Sequence, residues 1–544
     1  MKYKQSLLSI AISAFLSTSA VSANPVHEKH SEELKGKIKH VLMVSVDGLH
    51  ALDVANYIST NPESALAELS EHAITYSKAK TPANSDSFPG LLALVTGGSP
   101  NSHGLFYDVS YNRSTVYSDS SCTTPLLGNI QVYDESIDSY DKTDPHNWIS
   151  KNTIDPTQLP YYRNEKNQCV HKYPHNSVLT NTVFEVIKEN GGLTAWADKH
   201  PAYDILNGPS GGGVHDLYTP EITSVNGFDN TVSVVCTGQN DDLKVAAILN
   251  QIQGKSHDGR PDAGIPTFFG MNFQAVSVGQ KLASNNTKSD HFDATCSSDQ
   301  LAGPGGYIDG SGTPTPVLAY GLKHTDDSLK SMISALKTAG IYDSTLFIVT
   351  AKHGQSPINP DLVNKPGHFA DLVATLPDAG SNLAAAAIAD AANCPGPVCG
   401  SIQDDDVALI WLEDQSKTQM VADYLNLNAK ALFIDEVISG NDLKLKFNDP
   451  LKDAATPDII VQPLAGTIYT GKAYKIAEHG GFSANDTNVG LIVANPKISK
   501  RSVKSPVATS QVAATILESL NISPDKLKAV RKEGTQVLPF LFNK

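Results

Sequence analysis

Beyond its first two dozen residues the sequence has no long hydrophobic run, no pair of cysteines at two-residue spacing and no surplus of positive charge. Each absence removes a class of protein. Without a second long apolar stretch there is no ordinary membrane span, which takes about 20 consecutive apolar residues. Without closely spaced cysteines there is no zinc knuckle, so the six that occur (Cys122, Cys169, Cys236, Cys296, Cys394 and Cys399) read as structural. A formal net charge of −15 argues against binding a nucleic-acid duplex, because the field of an acidic chain repels phosphates. An anionic substrate would need a local cation to offset that field.

What is present is a chain of 544 residues, 40% hydrophobic and 18% charged, enough for one large core with a sizeable insertion or for two domains. Its first 23 residues read as a signal peptide: Lys2 and Lys4, a short apolar stretch Leu7 to Leu16, then small residues Val21-Ser22-Ala23. An uncleaved anchor is the alternative. A secreted or periplasmic location follows from the first reading, and an even cysteine count there permits disulfides. Cys394 and Cys399 flank Pro395-Gly396-Pro397, a turn able to join them; the pairing of the other four stays open.

Valine-rich runs at His40 to Val46, Thr345 to Ala351 and Asn488 to Ala494 read as buried parallel strands, the first two ending in Asp47-Gly48 and Lys352-His353-Gly354. Helical stripes lie between and after them: Leu329, Met332, Ile333 and Leu336, and later Val512, Ile516, Leu517 and Leu520. This alternation predicts an α/β sandwich with a largely parallel central sheet flanked by helices. Residues 131–175 look like a long loop insertion, and 358–475, with strand-like Val407 to Leu412 and Asp458 to Gln462 and an Ala-rich helix near 382–392, like a cap inserted between core segments 36–357 and 476–544. Ligands of such sheets sit beyond the carboxyl ends of the strands.

Four residues fall there. Ser87 opens Ser-Phe-Pro-Gly-Leu-Leu-Ala-Leu-Val-Thr-Gly, in which Pro89 suits a first helical turn and Thr96-Gly97-Gly98 a stop. A serine at a helix N-terminus is either a plain cap or a nucleophile beside free N–H groups that bind phosphate. Asp47, His353 and His479 are donor types that a divalent metal takes while activating such a serine, and each is followed by glycine. Singly, each histidine reads equally as a packing residue. Lys199 to Asp204 and His215-Asp216 are further polar clusters beside the glycines at 208–213; they either line a substrate cleft or form a turn-rich surface loop, and the second reading is preferred.

Asp47-Gly48, Ser87-x-Pro with Thr96-Gly97, Ser102-His103-Gly104, the stretch Ala335 to Gly354 and His479-Gly480 before Val489 to Ala494, in this order, resemble the type I phosphodiesterase/nucleotide pyrophosphatase branch of the alkaline phosphatase superfamily. The resemblance implies an alkaline-phosphatase-like fold, phosphate-ester hydrolysis with Ser87 as nucleophile, and metal ligation by Asp47, His353 and His479. The chain departs from the pattern in three ligands. Lys352 stands where the family has an aspartate, and Val276 and Gln280 stand at the ligand positions of the Pro-Asp-x-x-Gly-His element. A second divalent ion beside Lys352, with Asp47 the sole ligand carboxylate retained, would leave an excess of desolvated positive charge. The expectation is one divalent ion at most (Zn, Mg or Ca), with Asp108 as a candidate new ligand and Lys352 acting on the phosphate as a fixed charge. The substrate expected is a small phosphate ester or nucleotide-like molecule. Two alternatives stand beside it. A sulfatase would need an arginine where Leu91 lies; a catalytically inactive binding protein would explain the missing ligands.

Overall fold

The protein is described here by a computed structural model, covering residues 34, 36–82, 84–126, 129–132, 137, 153–220, 230–285, 301–393 and 400–542. The signal peptide and the Cys394–Cys399 pair expected from the sequence lie outside these residues. The strands of the two sheets that matter for the site are, in chain order, β1 (His40–Val46), β2 (Ala73–Tyr76), β3 (Thr194–Ala197), β4 (Asp216–Tyr218), β5 (Phe268–Phe273), β6 (Thr345–Thr350), β7 (Ser401–Asp404), β8 (Ala408–Trp411), β9 (Ile434–Ser439), β10 (Ile459–Pro463), β11 (Ile492–Ala494) and β12 (Arg501–Val503). The helices around them are α1 (Ala51–Thr60), α2 (Ala65–Glu71), α3 (Ser87–Thr96), α4 (Val183–Glu189), α5 (Val234–Ile252), α6 (Ala275–Lys281), α7 (Pro316–Thr338) and α8 (Gln511–Ser519).

The central sheet has eight strands in the order β4-β3-β5-β1-β6-β11-β2-β12. Alternate residues of β1 serve opposite faces, as strand geometry requires. Val41 and Met43 join an apolar cluster with α3, α4 and α8, while Leu42, Val44 and Val46 join one with α1, α2, α5 and α7. Both faces are thus covered, which is why β1 and β6 are apolar at nearly every position.

β11 departs from the sequence reading. It pairs antiparallel with both β6 and β2, whereas the other pairings in the sheet are parallel. The run Asn488 to Ala494 read as one strand is in fact two: Asn488–Val489 belongs to a separate small sheet and only Ile492–Ala494 to the central one. The reason for the antiparallel pairing is the direction of approach: the chain comes to β11 from the carboxyl ends of the strands, where His479 lies, with no crossover back to their amino ends. A strand that starts at that end can only run back.

Strands β7 to β10 form their own antiparallel sheet, ordered β7-β8-β10-β9, with an apolar cluster that includes Phe369, Ile388, Ile410, Val461 and Tyr469. The stretch read as a loop at 131–175 holds a strand pair, Tyr161–Arg163 against Cys169–His171, tied to the preceding segment by a Cys122–Cys169 disulfide. Its polar composition hid these short strands. Cys236 is also disulfide-bonded.

Candidate functional site

β1 and β6 lie side by side in parallel register, Ser45 opposite Thr350, so the residues just past their carboxyl ends meet. Asp47 and His353 are 1% and 0% exposed, with Asp47 Oδ2 at 3.6 Å from His353 Nε2. Gly48 makes the turn after Asp47: its φ is +79° and an ideal Cβ would stand 2.1 Å from Gln280 Oε1, so only glycine fits.

Ser87 is the first residue of α3, after the N-cap Asp86. The helix ends at Gly97 in the left-handed conformation, as the sequence indicated. At Gly90 an ideal Cβ would be 1.9 Å from the Lys352 carbonyl oxygen. That close approach brings the helix N-terminus over the end of β6, and Ser87 Oγ lies 3.4 Å from His353 Nε2. The other ring nitrogen, Nδ1, is 2.7 Å from the Gly354 carbonyl oxygen. A carbonyl only accepts, so Nδ1 carries a proton; in the neutral tautomer Nε2 is then the free nitrogen, and it is the one that faces Ser87.

The Lys352 side chain is fully buried. Its Nζ donates to the Tyr203 hydroxyl at 2.8 Å and lies 3.4 Å from Asp47 Oδ2 and 3.7 Å from Asp198 Oδ1. It also sits 4.6 Å from the centroid of the Tyr203 ring. Burial pushes the ammonium pKa down, while Asp198 and Asp47 oppose that shift. Burial alone would raise the Asp47 pKa; Lys352 and His353 outweigh it and hold the carboxyl well below its usual range. Asp47 Oδ2 also accepts from Gln274 Nε2 at 2.5 Å. Its Oδ1 is buried without a hydrogen-bond partner.

His479 packs on His353 with ring centroids 3.9 Å apart, and its Nδ1 is 3.2 Å from Asp86 Oδ1. Burial, then the neighbouring His353, lower its pKa to about 3. Asp108 Oδ1 accepts from the Val109 backbone N–H at 2.7 Å; burial and the charges of Asp86 and Asp405 raise its pKa to about 8. Lys199, Lys281, Lys475, Asp108 and Asp405 form a partly exposed rim of mixed charge. Burial is the largest influence on the Lys281 and Lys475 pKa values, lowered to about 8 and about 7.

The structure therefore gathers Asp47, Ser87, Lys352, His353 and His479. It also brings in residues that the sequence reading left on a surface loop: Tyr203, against Lys352, and Lys199, whose Nζ is 3.9 Å from Asp47 Oδ2. Asp198 was missed altogether, although it ends β3 just as Asp47 ends β1, and that shared placement was the signal available. The two positions read as vacated ligands have other work. Val276 is buried in an apolar cluster, and Gln280 Nε2 donates to the Gly48 carbonyl and the Tyr307 hydroxyl. Among the described residues, no group of three or more His, Cys, Asp or Glu side chains is arranged to hold a metal ion.

Comparison with solved structures finds the same architecture. Murine ectonucleotide pyrophosphatase/phosphodiesterase 5 superposes with a TM-score of 0.51 at 14% identity, over 89% of this chain and 96% of that one. A mutant of the alkaline phosphatase PafA gives 0.53 at 12% identity, over 89% and 96%. At such identities the likeness is one of fold, here the alkaline-phosphatase-like sandwich. A search of curated proteins found no match. The family model described as type I phosphodiesterase/nucleotide pyrophosphatase matches residues 41–483, most of the chain and every residue of the site, and the chain accordingly belongs to that family of phosphoric ester hydrolases.

Proposed function

We propose that this chain is an exported hydrolase that cleaves small phosphate esters, nucleotide-like substrates included, with Ser87 as the attacking group. The observation that carries this is the seating of the Ser87 hydroxyl at the N-terminus of α3, 3.4 Å from His353 Nε2. Backbone N–H groups there favour an anion, and Lys352 beside them supplies a fixed positive charge for the phosphate. The rim lysines offset locally the net negative charge of the chain. A nucleotide-like substrate is supported by a murine relative of the same fold whose inactive variant was solved in complex with AMP. Export is supported by the signal-like N-terminus and the Cys122–Cys169 disulfide; no described helix is long and apolar enough to cross a membrane. Residues 358–475 act as the cap.

Family members use divalent metals. A single ion on Asp47 and His353, helped by Ser87, has one observation in its favour, the unpartnered Asp47 Oδ1. The remaining donors count against it. Two side chains and a hydroxyl, with an ammonium 3.4 Å from the carboxylate, do not fit a resident divalent ion, whose sites take more donors and no neighbouring cation. Aryl phosphate monoesters and diesters test the function directly. Release of the aryl alcohol from either, and not from an aryl sulfate, is the expected result; hydrolysis of the sulfate alone, or of nothing, overturns it.

A further inference from the structure

We infer that the centre performs its hydrolysis without a divalent ion, with Lys352 as the resident cation and His353 as the base that takes the Ser87 proton. This rests on the function just proposed and goes beyond it by assigning the proton transfer and the source of positive charge. The argument starts from Lys352. Its Nζ is enclosed by Asp47 at 3.4 Å, Asp198 at 3.7 Å and the Tyr203 hydroxyl at 2.8 Å. Two carboxylates and a phenol oxygen are what a buried ammonium requires to stay in place. A cation drawn to Asp47 meets this one already there.

His353 supplies the second half. Its Nδ1 proton is committed to the Gly354 carbonyl at 2.7 Å, so in the neutral tautomer the nitrogen able to accept a proton is Nε2, which is turned toward Ser87 Oγ at 3.4 Å. Asp47 Oδ2, 3.6 Å from the same Nε2, stabilises the imidazolium once the proton arrives. This is the arrangement by which a neutral imidazole activates a hydroxyl. In the first step Ser87 Oγ bonds to phosphorus and its proton passes to His353 Nε2. The bond to the leaving oxygen breaks, that oxygen keeps the electron pair and takes a proton from water, and His353 returns its own to solvent. In the second step water gives a proton to His353 and bonds to phosphorus, and Ser87 Oγ departs and recovers the proton. The sum is one ester and one water converted to an alcohol and a phosphate.

The test uses the full mature chain, purified, stripped with a chelator and checked by elemental analysis. The stripped protein should turn over an aryl phosphate at a rate within about twofold of the untreated one, and added zinc should not increase it. Titration calorimetry with zinc alone should find no stoichiometric site in the wild type. His353→Ala should lower turnover by roughly 10²–10⁴-fold, the range of a positioned base, and zinc should not rescue it. Lys352→Asp, which restores a carboxylate beside Asp47, should acquire a zinc site of one ion per chain. If that variant fails to fold, Lys352→Met, which keeps the volume and drops the charge, should lose turnover without gaining zinc. Loss of Ser87-dependent activity on stripping and its return with zinc overturns this inference while leaving the proposed function intact. Stoichiometric zinc in the wild type that vanishes in His353→Ala overturns it as well. Turnover unaffected by Ser87→Ala overturns the proposed function and this inference together.

Discussion

Two groups of residues flank the same centre and have been filled by different means. At the carboxyl ends of β1 and β6, Asp47, Lys352 and His353 keep a polar, charged arrangement in which one ion pair replaces what a family member would hold with carboxylates. At α6, the positions matching the other ligands carry no charge: Val276 has joined the apolar core and Gln280 ties the Gly48 turn to Tyr307 by hydrogen bonds. One side keeps the groups that the proposed chemistry uses, with an ammonium among them. The other has become scaffold. On the proposed reading, losing ligands need not mean losing a site, because the groups that face Ser87 are the ones that keep a charge and a proton acceptor.

Removing the nucleophile should separate the two sides most sharply. Ser87→Ala should abolish essentially all turnover in an aryl phosphate assay, since alanine forms no covalent ester. Folding should change little: a lost helix cap costs about 1 kcal/mol, and Ser87 lies inside the helix rather than at the cap. Phosphate or vanadate should still bind.

Lys352→Met should come next. Breaking a buried ion pair typically costs about 3–5 kcal/mol, readable as a lower midpoint in urea unfolding near pH 7, together with weakened anion binding. It should also change the acid limb. Asp47 has a folded pKa well below 3.8, so its contribution is fully present above that unfolded value and is lost as pH falls through the folded one. Without Lys352 that contribution shrinks, and the stability difference between variant and wild type should narrow as pH drops below about 4.

On the scaffold side the effects should be smaller and confined to stability. Gln280→Leu leaves the Gly48 carbonyl without its side-chain donor and should cost about 1–3 kcal/mol, seen as a lowered thermal midpoint, with kcat per folded molecule close to wild type. A large fall in kcat there would break the division between a working side and a structural one.

The sequence made β1, β6 and α3 legible because an apolar run ending in Asp-Gly or His-Gly, and a serine followed by Phe-Pro, have few alternatives. It could not give the direction of β11, since a strand buried on both faces looks alike read either way. Nor could it join Tyr203 and Asp198 to the site: they reach it through the pairing of β3 with β5, a long-range choice that no local pattern records. Lys352 was visible as an anomaly, but the carboxylates that neutralise it emerge only from three dimensions.

Gly90 carries a last consequence. Because α3 meets the Lys352 carbonyl with no room for a Cβ, the spacing between the attacking oxygen and its proton acceptor is set by main chain against main chain. Side chains of the rim can then vary without altering that spacing. Any residue larger than glycine at position 90 would instead detune every substrate alike.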